Sequence, residues 1–212
     1  MSSDSEDSNS TFEPNYNDEV ESSWRFLNLL PCGSELVKSD PQKAIELYKK
    51  AVLDSPGSYK LWHAYLGLRT KQLEGKQIDD VLYEEVNKCY EEALVFMHKM
   101  PRIWIEYCTL LNEQLYITRT RRAFDKALES LPITQHSRIW PLYLDFIKKP
   151  HVPVETAIRV FKRYMQLRPE DAEEFIDYLH AHYKIDEAAK LLCDIINRPS
   201  FQSRRNKTKY QL

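Results

Sequence analysis

His180 and His182 are the pair in this chain closest in form to a metal site. Residues two apart on a helix do not share a side, so the pair reads as one histidine near a packed face and one in solvent. The four cysteines, at 32, 89, 108 and 193, form no C-x-x-C and give neither zinc spacing nor a secreted disulfide framework. Cys89 precedes Tyr90, and Cys108 stands four residues after Trp104, so both read as small core residues rather than nucleophiles. Glu84-Glu85 and Glu91-Glu92 are neighbours in sequence and suit a solvated helix face, not an acid and a base held across a cleft. No glycine-rich phosphate loop, HExxH or G-x-S-x-G occurs. The expectation is a protein without catalytic chemistry, cofactor or metal.

Two basic clusters could engage phosphate. Arg119, Arg121, Arg122 and Lys126 lie together, and Arg198, Arg204, Arg205, Lys207 and Lys209 crowd the C-terminal end. Lys and Arg release counterions when they neutralise phosphates. Neither cluster interleaves exposed aromatics as base-stacking modules do, so partner proteins and intramolecular pairing compete with RNA as readings. The formal net charge of −2 provides no overall field for nucleic acid or membrane.

What must position these residues is a recurring helical pattern. Trp62 and Tyr65, Trp104 and Tyr107, Trp140 and Tyr143, and Phe175 and Tyr178 each place two large rings three residues apart, with Trp24 and Leu27 a weaker copy. From Trp140, apolar residues continue at Tyr143, Leu144 and Ile147, one face of a 3.6-residue helix. A second set alternates with the first: Tyr48 and Ala51, Tyr90 and Ala93, Phe124 and Ala127, Phe161 and Tyr164, Leu192 and Ile195. Each member of that set runs toward a proline, at 56, 101, 132, 169 and 199, which breaks the hydrogen-bond ladder and predicts the end of a helix.

The leading residues at 24, 62, 104, 140 and 175 stand 38, 42, 36 and 35 residues apart, room for two helices and their turns. One helical hairpin cannot cover its own apolar face, so stacking hairpins bury a continuous core. Alanine at the contact lets helices approach, and the facing ring fills the space. The reading is an all-α right-handed superhelical solenoid of antiparallel helix pairs. Its structural residues are Trp62, Tyr65, Tyr90, Trp104, Tyr107, Phe124, Trp140, Tyr143, Phe161 and Tyr178. Composition agrees: 42% of the 212 residues are hydrophobic, with 13 tyrosines and four glycines.

Residues 1–21 carry seven acidic and no basic side chains among serines and asparagines, a composition that predicts a disordered acidic tail. Residues 22–57 read as a degenerate first repeat and 58–200 as repeats two to five. Residues 201–212 read as a basic linker and the start of a truncated sixth repeat, because Tyr210-Gln211-Leu212 matches Tyr59-Lys60-Leu61 just before Trp62. The segment KQLEGKQIDDVLYEEV lengthens the second unit and predicts a longer helix or a loop. No apolar run approaches the ~18 residues of a membrane span and no leader is visible, which points to cytosol or nucleus.

The repeat of aromatic-x-x-aromatic, then aromatic-x-x-Ala, then Pro resembles the half-a-TPR (HAT) repeat of RNA-processing proteins. The stretches VFMHKMPRIWIEYC (95–108), RRAFDKALESLPITQHSRIWPLYL (121–144) and RPEDAEEFIDYL (168–179) resemble the Syf-type, XPA-binding family of pre-mRNA-splicing factors, with likeness from about residue 41 onward. The resemblance implies an N-terminal fragment of a nuclear scaffold in the spliceosome's NineTeen (Prp-nineteen-associated) complex. It would bind other spliceosomal proteins, including another HAT-repeat subunit, and carry a link to transcription-coupled DNA repair. No small-molecule substrate or membrane partner is implied. Two alternatives stand beside it: direct RNA binding through Arg119, Arg121, Arg122, Lys126, Arg204 and Arg205, and a TPR-like receptor that clamps a peptide carboxylate.

Overall fold

The computed structural model describes residues 40–198, which hold nine α-helices, two 3-10 turns and no strand. The acidic tail, Trp24, Leu27, Cys32, Pro199, Arg204, Arg205 and the rest of 201–212 lie outside the described residues. The chain divides into two units, Met1–Met97 and His98–Leu212.

In the first unit, α1 (Pro41–Asp54) opens on an Asp40 cap whose carboxylate accepts from the Lys43 backbone N–H at 3.3 Å, with Pro41 in the first turn, where no donor is needed. α2 (Tyr59–Lys71) buries Leu61, Trp62, Tyr65 and Leu66, the stripe its sequence predicts. The long segment after it resolves into a turn-rich link over 72–80 and the first turn of α3 (Val81–Met97). Gly75 in that link has φ +76°, a conformation that favours glycine. α3 returns Val86, Cys89, Tyr90, Ala93, Leu94 and Met97 to the core. Ala93 is fully buried, as a close helix crossing requires.

The second unit runs α4 (Pro101–Glu113), α5 (Ile117–Ser130), α6 (His136–Ile147), α7 (Val154–Leu167), α8 (Ala172–Ala181) and α9 (Ile185–Ile196). Consecutive helices are joined by short links and pack in sequence, so helix pairs are antiparallel. Ala127 and Ala157 are wholly buried at the crossings.

As the sequence predicts, helices end at Asp54, Ser130 and Leu167, each two residues before a proline, and three of the prolines also open the element that follows. Pro101 is the first residue of α4; Pro132 and Pro169 stand at the start of the 3-10 turns Ile133–Gln135 and Pro169–Asp171. The fixed φ of proline suits the first turn of a helix, and its missing N–H is an orphan there anyway. Pro141 lies inside α6, one turn from its start, and the aromatic stripe carries the helix through it.

Two of the tight turns inside helix pairs use a left-handed residue that is not glycine: Leu115, φ 60°, between α4 and α5, and Tyr183, φ 56°, between α8 and α9. Each stands two residues before the next helix. Tyr183 is 88% exposed, so its ring offsets little of the strain. Tyr183→Gly should therefore raise stability by about 0.5 kcal/mol, the left-handed penalty relieved less the extra entropy glycine loses on folding. Thermal unfolding of the two chains measures this, and a lower midpoint for the glycine variant would show that Tyr183 makes a contact worth more than its strain.

Candidate partner-docking surface

All ten residues assigned to the repeat are buried, none more than 8% exposed. They meet as rings from successive helices. Phe124 of α5 stacks on Tyr143 of α6 at 4.7 Å with planes 8° apart, and leans on Phe146 at 5.8 Å. One pair later, Phe161 of α7 stacks on Phe175 of α8 at 4.9 Å and meets Tyr178 at 5.1 Å. In the first unit, Trp62 lies 6.2 Å from Tyr65 and stacks on Phe96 at 6.3 Å. Offset rings of this kind add to the apolar area they bury.

The tryptophans also bind backbone. Trp62 Nε1 donates to the Pro56 carbonyl at 2.8 Å and Trp104 Nε1 to the His98 carbonyl at 2.7 Å, each six residues earlier. Trp140 breaks the series: its Nε1 is buried with no acceptor. α5 ends ten residues before Trp140, whereas α1 ends eight before Trp62 and α3 seven before Trp104. The extra chain is taken up by the Ile133–Gln135 turn, which moves the corresponding carbonyl. The tryptophan motif alone gives no sign of this difference.

A polar cluster ties three helices of the second unit together. Asp125 of α5 accepts from Arg121 at 3.1 Å, from the Tyr143 hydroxyl of α6 at 3.0 Å and from Arg163 of α7 at 2.7 Å. Burial first, and then the neighbouring Asp125 carboxylate, push the Tyr143 phenol above its ordinary range, so it remains a donor. Its folded pKa exceeds the unfolded value near 10, so its contribution is complete below that pH and is lost as pH climbs through the folded value. Stability should fall above about pH 10 by up to ~1.4 kcal/mol per pH unit for this one group. Tyr143→Phe should flatten that decline, as read from urea midpoints between pH 9 and 11; equal slopes would contradict the assignment.

The other predicted positions separate. Arg119 is half-buried and has a partner, Arg121 is held by Asp125, and Arg122 and Lys126 are exposed. The first basic cluster therefore does not present four equivalent cations. His180 and His182 are both exposed, which corrects the expectation of one near a packed face. His182 closes the end of α8, its Nδ1 at 2.8 Å from the Tyr178 carbonyl and its ring 4.1 Å from the Tyr178 ring. Cys89 and Cys108 are buried and Cys193 is exposed; burial pushes the Cys108 thiol up, away from a reactive thiolate. Among the described residues no three His, Cys, Asp or Glu side chains gather as a metal site, and no helix is long and apolar enough to cross a membrane.

Further ion pairs that sequence reading missed link the later helices: Lys162 to Glu187 at 3.0 Å, Lys184 to Glu155 at 2.9 Å, and Lys148 to Glu174. Along the second helices of the pairs, two grooves open. One, about 510 Å³, lies between α5 and α7 over Trp140. The other, about 870 Å³, lies between α7 and α9 over Phe175. Both fall in the range of ligand-sized clefts.

Residues 17–170 match the family model described as the pre-mRNA-splicing factor Syf1/CNRKL1 N-terminal HAT repeat. The chain belongs to this Syf1-type HAT-repeat family. Residues 172–212 match the SYF1 middle HAT repeat. The first match begins at residue 17, earlier than the start near residue 41 expected from the sequence. The pre-mRNA-splicing factor syf1 homolog of Drosophila melanogaster is 53% identical over 166 residues, covering 78% of this chain and 19% of the relative. Pre-mRNA-splicing factor SYF1 of Homo sapiens is 50% identical over 167 residues, with 79% and 19% covered. Pre-mRNA-splicing factor cwf3 of Schizosaccharomyces pombe is 36% identical over 173 residues, with 81% and 22% covered. The chain thus spans about a fifth of the length of the curated relatives it matches.

Proposed function

We propose that this chain works in pre-mRNA splicing, in the nucleus, as a HAT-repeat scaffold that holds other spliceosomal proteins. The observation that carries the reading is the match to the Syf1-type repeat over residues 17–170, supported by 50–53% identity to splicing factors of that name. The finer reading places it with the NineTeen complex, beside another HAT-repeat subunit, and extends to transcription-coupled DNA repair through the family. In this reading the ten buried aromatics fix the stacking of helix pairs, and the exposed charges choose partners. In this reading the repeat bounds are those of the sequence pattern: an acidic tail over 1–21, a degenerate first repeat over 22–57, repeats two to five over 58–200, and a basic linker with the start of a sixth repeat over 201–212.

Direct RNA binding is the weaker alternative. Arg121 is engaged by Asp125, which leaves Arg122 and Lys126 as the exposed cations of the first cluster. The test is competition in a nuclear extract that splices a labelled pre-mRNA. Excess folded chain should withdraw partners and lower the yield of spliced product in proportion to dose. Unchanged splicing at saturating chain would count against the scaffold reading.

A further inference from the structure

The two grooves of the second unit share a wall. Gln166 of α7 lines both, and their floors are equivalent residues of successive pairs, Trp140 and Phe175, each nine-tenths buried or more. Side chains bridge the second helices across each groove, Asp125 to Arg163 and Lys162 to Glu187. Helices in contact lie about 8–10 Å apart, and an extended chain rises ~3.3 Å per residue. One extended segment crossing from α5 over α7 to α9 would span two such spacings, roughly five to six residues, and because alternate side chains share a face, the two that enter the grooves would stand about four or six positions apart.

The charges of the two grooves are opposite. The groove over Trp140 has the carboxylates of Asp125 and Glu129 against the single guanidinium of Arg163, beside His136. The groove over Phe175 has Lys162, Lys190 and Arg198 against Glu187 and Asp194. Arg163 and Lys162 are engaged by Asp125 and Glu187. Glu129 at one end and Lys190 at the other are exposed and form no ion pair among the described residues. We propose that the two grooves form one track for an extended partner segment that carries a basic and an acidic residue about four or six positions apart, the base toward Glu129 and the acid toward Lys190 and Arg198. The apolar side chain between them packs toward Leu167 and Met165. The buried indole N–H of Trp140, the one among the three described tryptophans that lacks an acceptor, takes a backbone carbonyl of the segment once the ring shifts to meet it.

This inference rests on the protein-scaffold reading and names the chemistry of the partner. The test is selection of a random twelve-residue peptide display library on the immobilised 212-residue chain, followed by fluorescence-anisotropy titration of the enriched peptide. The expected result is enrichment of sequences with Lys or Arg and Asp or Glu about four or six positions apart. Lys190→Glu should weaken the selected peptide about tenfold or more, as reversing a charge opposite its partner does, and replacing the peptide's acid by lysine should restore binding to that variant. Glu129→Lys should do the same for the peptide's base. Trp140→Phe, compared well below its lowered thermal midpoint where the variant is folded, should weaken binding severalfold. Both charge-reversed positions are exposed, and an unchanged melting midpoint confirms that those variants fold. Enrichment of peptides without the charge pair, or affinity indifferent to Lys190→Glu and Glu129→Lys, overturns the proposal. So does a failure to enrich any sequence. Splicing competition would survive each of these failures if partners dock elsewhere on the chain, so the two readings fail separately.

Discussion

Trp104→Ala should destabilise the chain by about 3–5 kcal/mol, the range for deleting a buried tryptophan side chain. The ring is 5% exposed, so little of its apolar contact is regained from solvent. Its loss also removes the indole N–H that the His98 carbonyl accepts at 2.7 Å. The contribution of that bond can be isolated. Trp104→Phe and Trp140→Phe remove similar ring volume from similarly buried sites, but Trp140 has no acceptor to lose. Trp104→Phe should therefore cost about 1–2 kcal/mol more than Trp140→Phe. Chemical denaturation of the three variants measures both differences. A wild-type midpoint for Trp104→Ala, or equal losses for the two phenylalanine variants, would contradict the packing described.

Asp125→Ala should cost about 2 kcal/mol, because one carboxylate accepts from three donors on three helices. Arg121 and Arg163 are 38% and 49% exposed. Water can rehydrate them, which keeps the loss below that of a sealed ion pair. Tyr143 is wholly buried, and its hydroxyl would be left without an acceptor. Asp125→Asn, which keeps an oxygen for Tyr143 but no charge, should lose roughly half as much. A double-mutant cycle with Tyr143→Phe should show coupling of about 1 kcal/mol. Additive losses would mean that the Tyr143 bond does not hold the two helices together.

The parts of the fold legible from sequence are those that depend on spacing within one helix. Trp62 with Tyr65 and Leu66, and Trp140 with Tyr143, Leu144 and Ile147, share a helix face whatever the rest of the chain does, and all are buried. The alanines at 51, 93 and 127 are buried for the same reason. What escaped depends on geometry between helices or on backbone dihedrals. Asp125, Arg163 and Tyr143 are up to 38 residues apart, and only the stacking of pairs brings them together. Leu115 and Tyr183 hold left-handed turns without a glycine to signal them. Pro101 was legible as a boundary but not as a helix start, since a proline marks both. The grooves over Trp140 and Phe175 were invisible, because each is made of side chains from three helices.

The central claim is that this chain is a protein-binding scaffold of the splicing machinery. Affinity purification of the tagged chain from nuclear extract, before and after nuclease, with the bound proteins identified by mass spectrometry, tests it most directly. The account predicts recovery of NineTeen-complex proteins that persists after nuclease treatment. Recovery only of proteins that nuclease releases, or of no splicing protein at all, would contradict it.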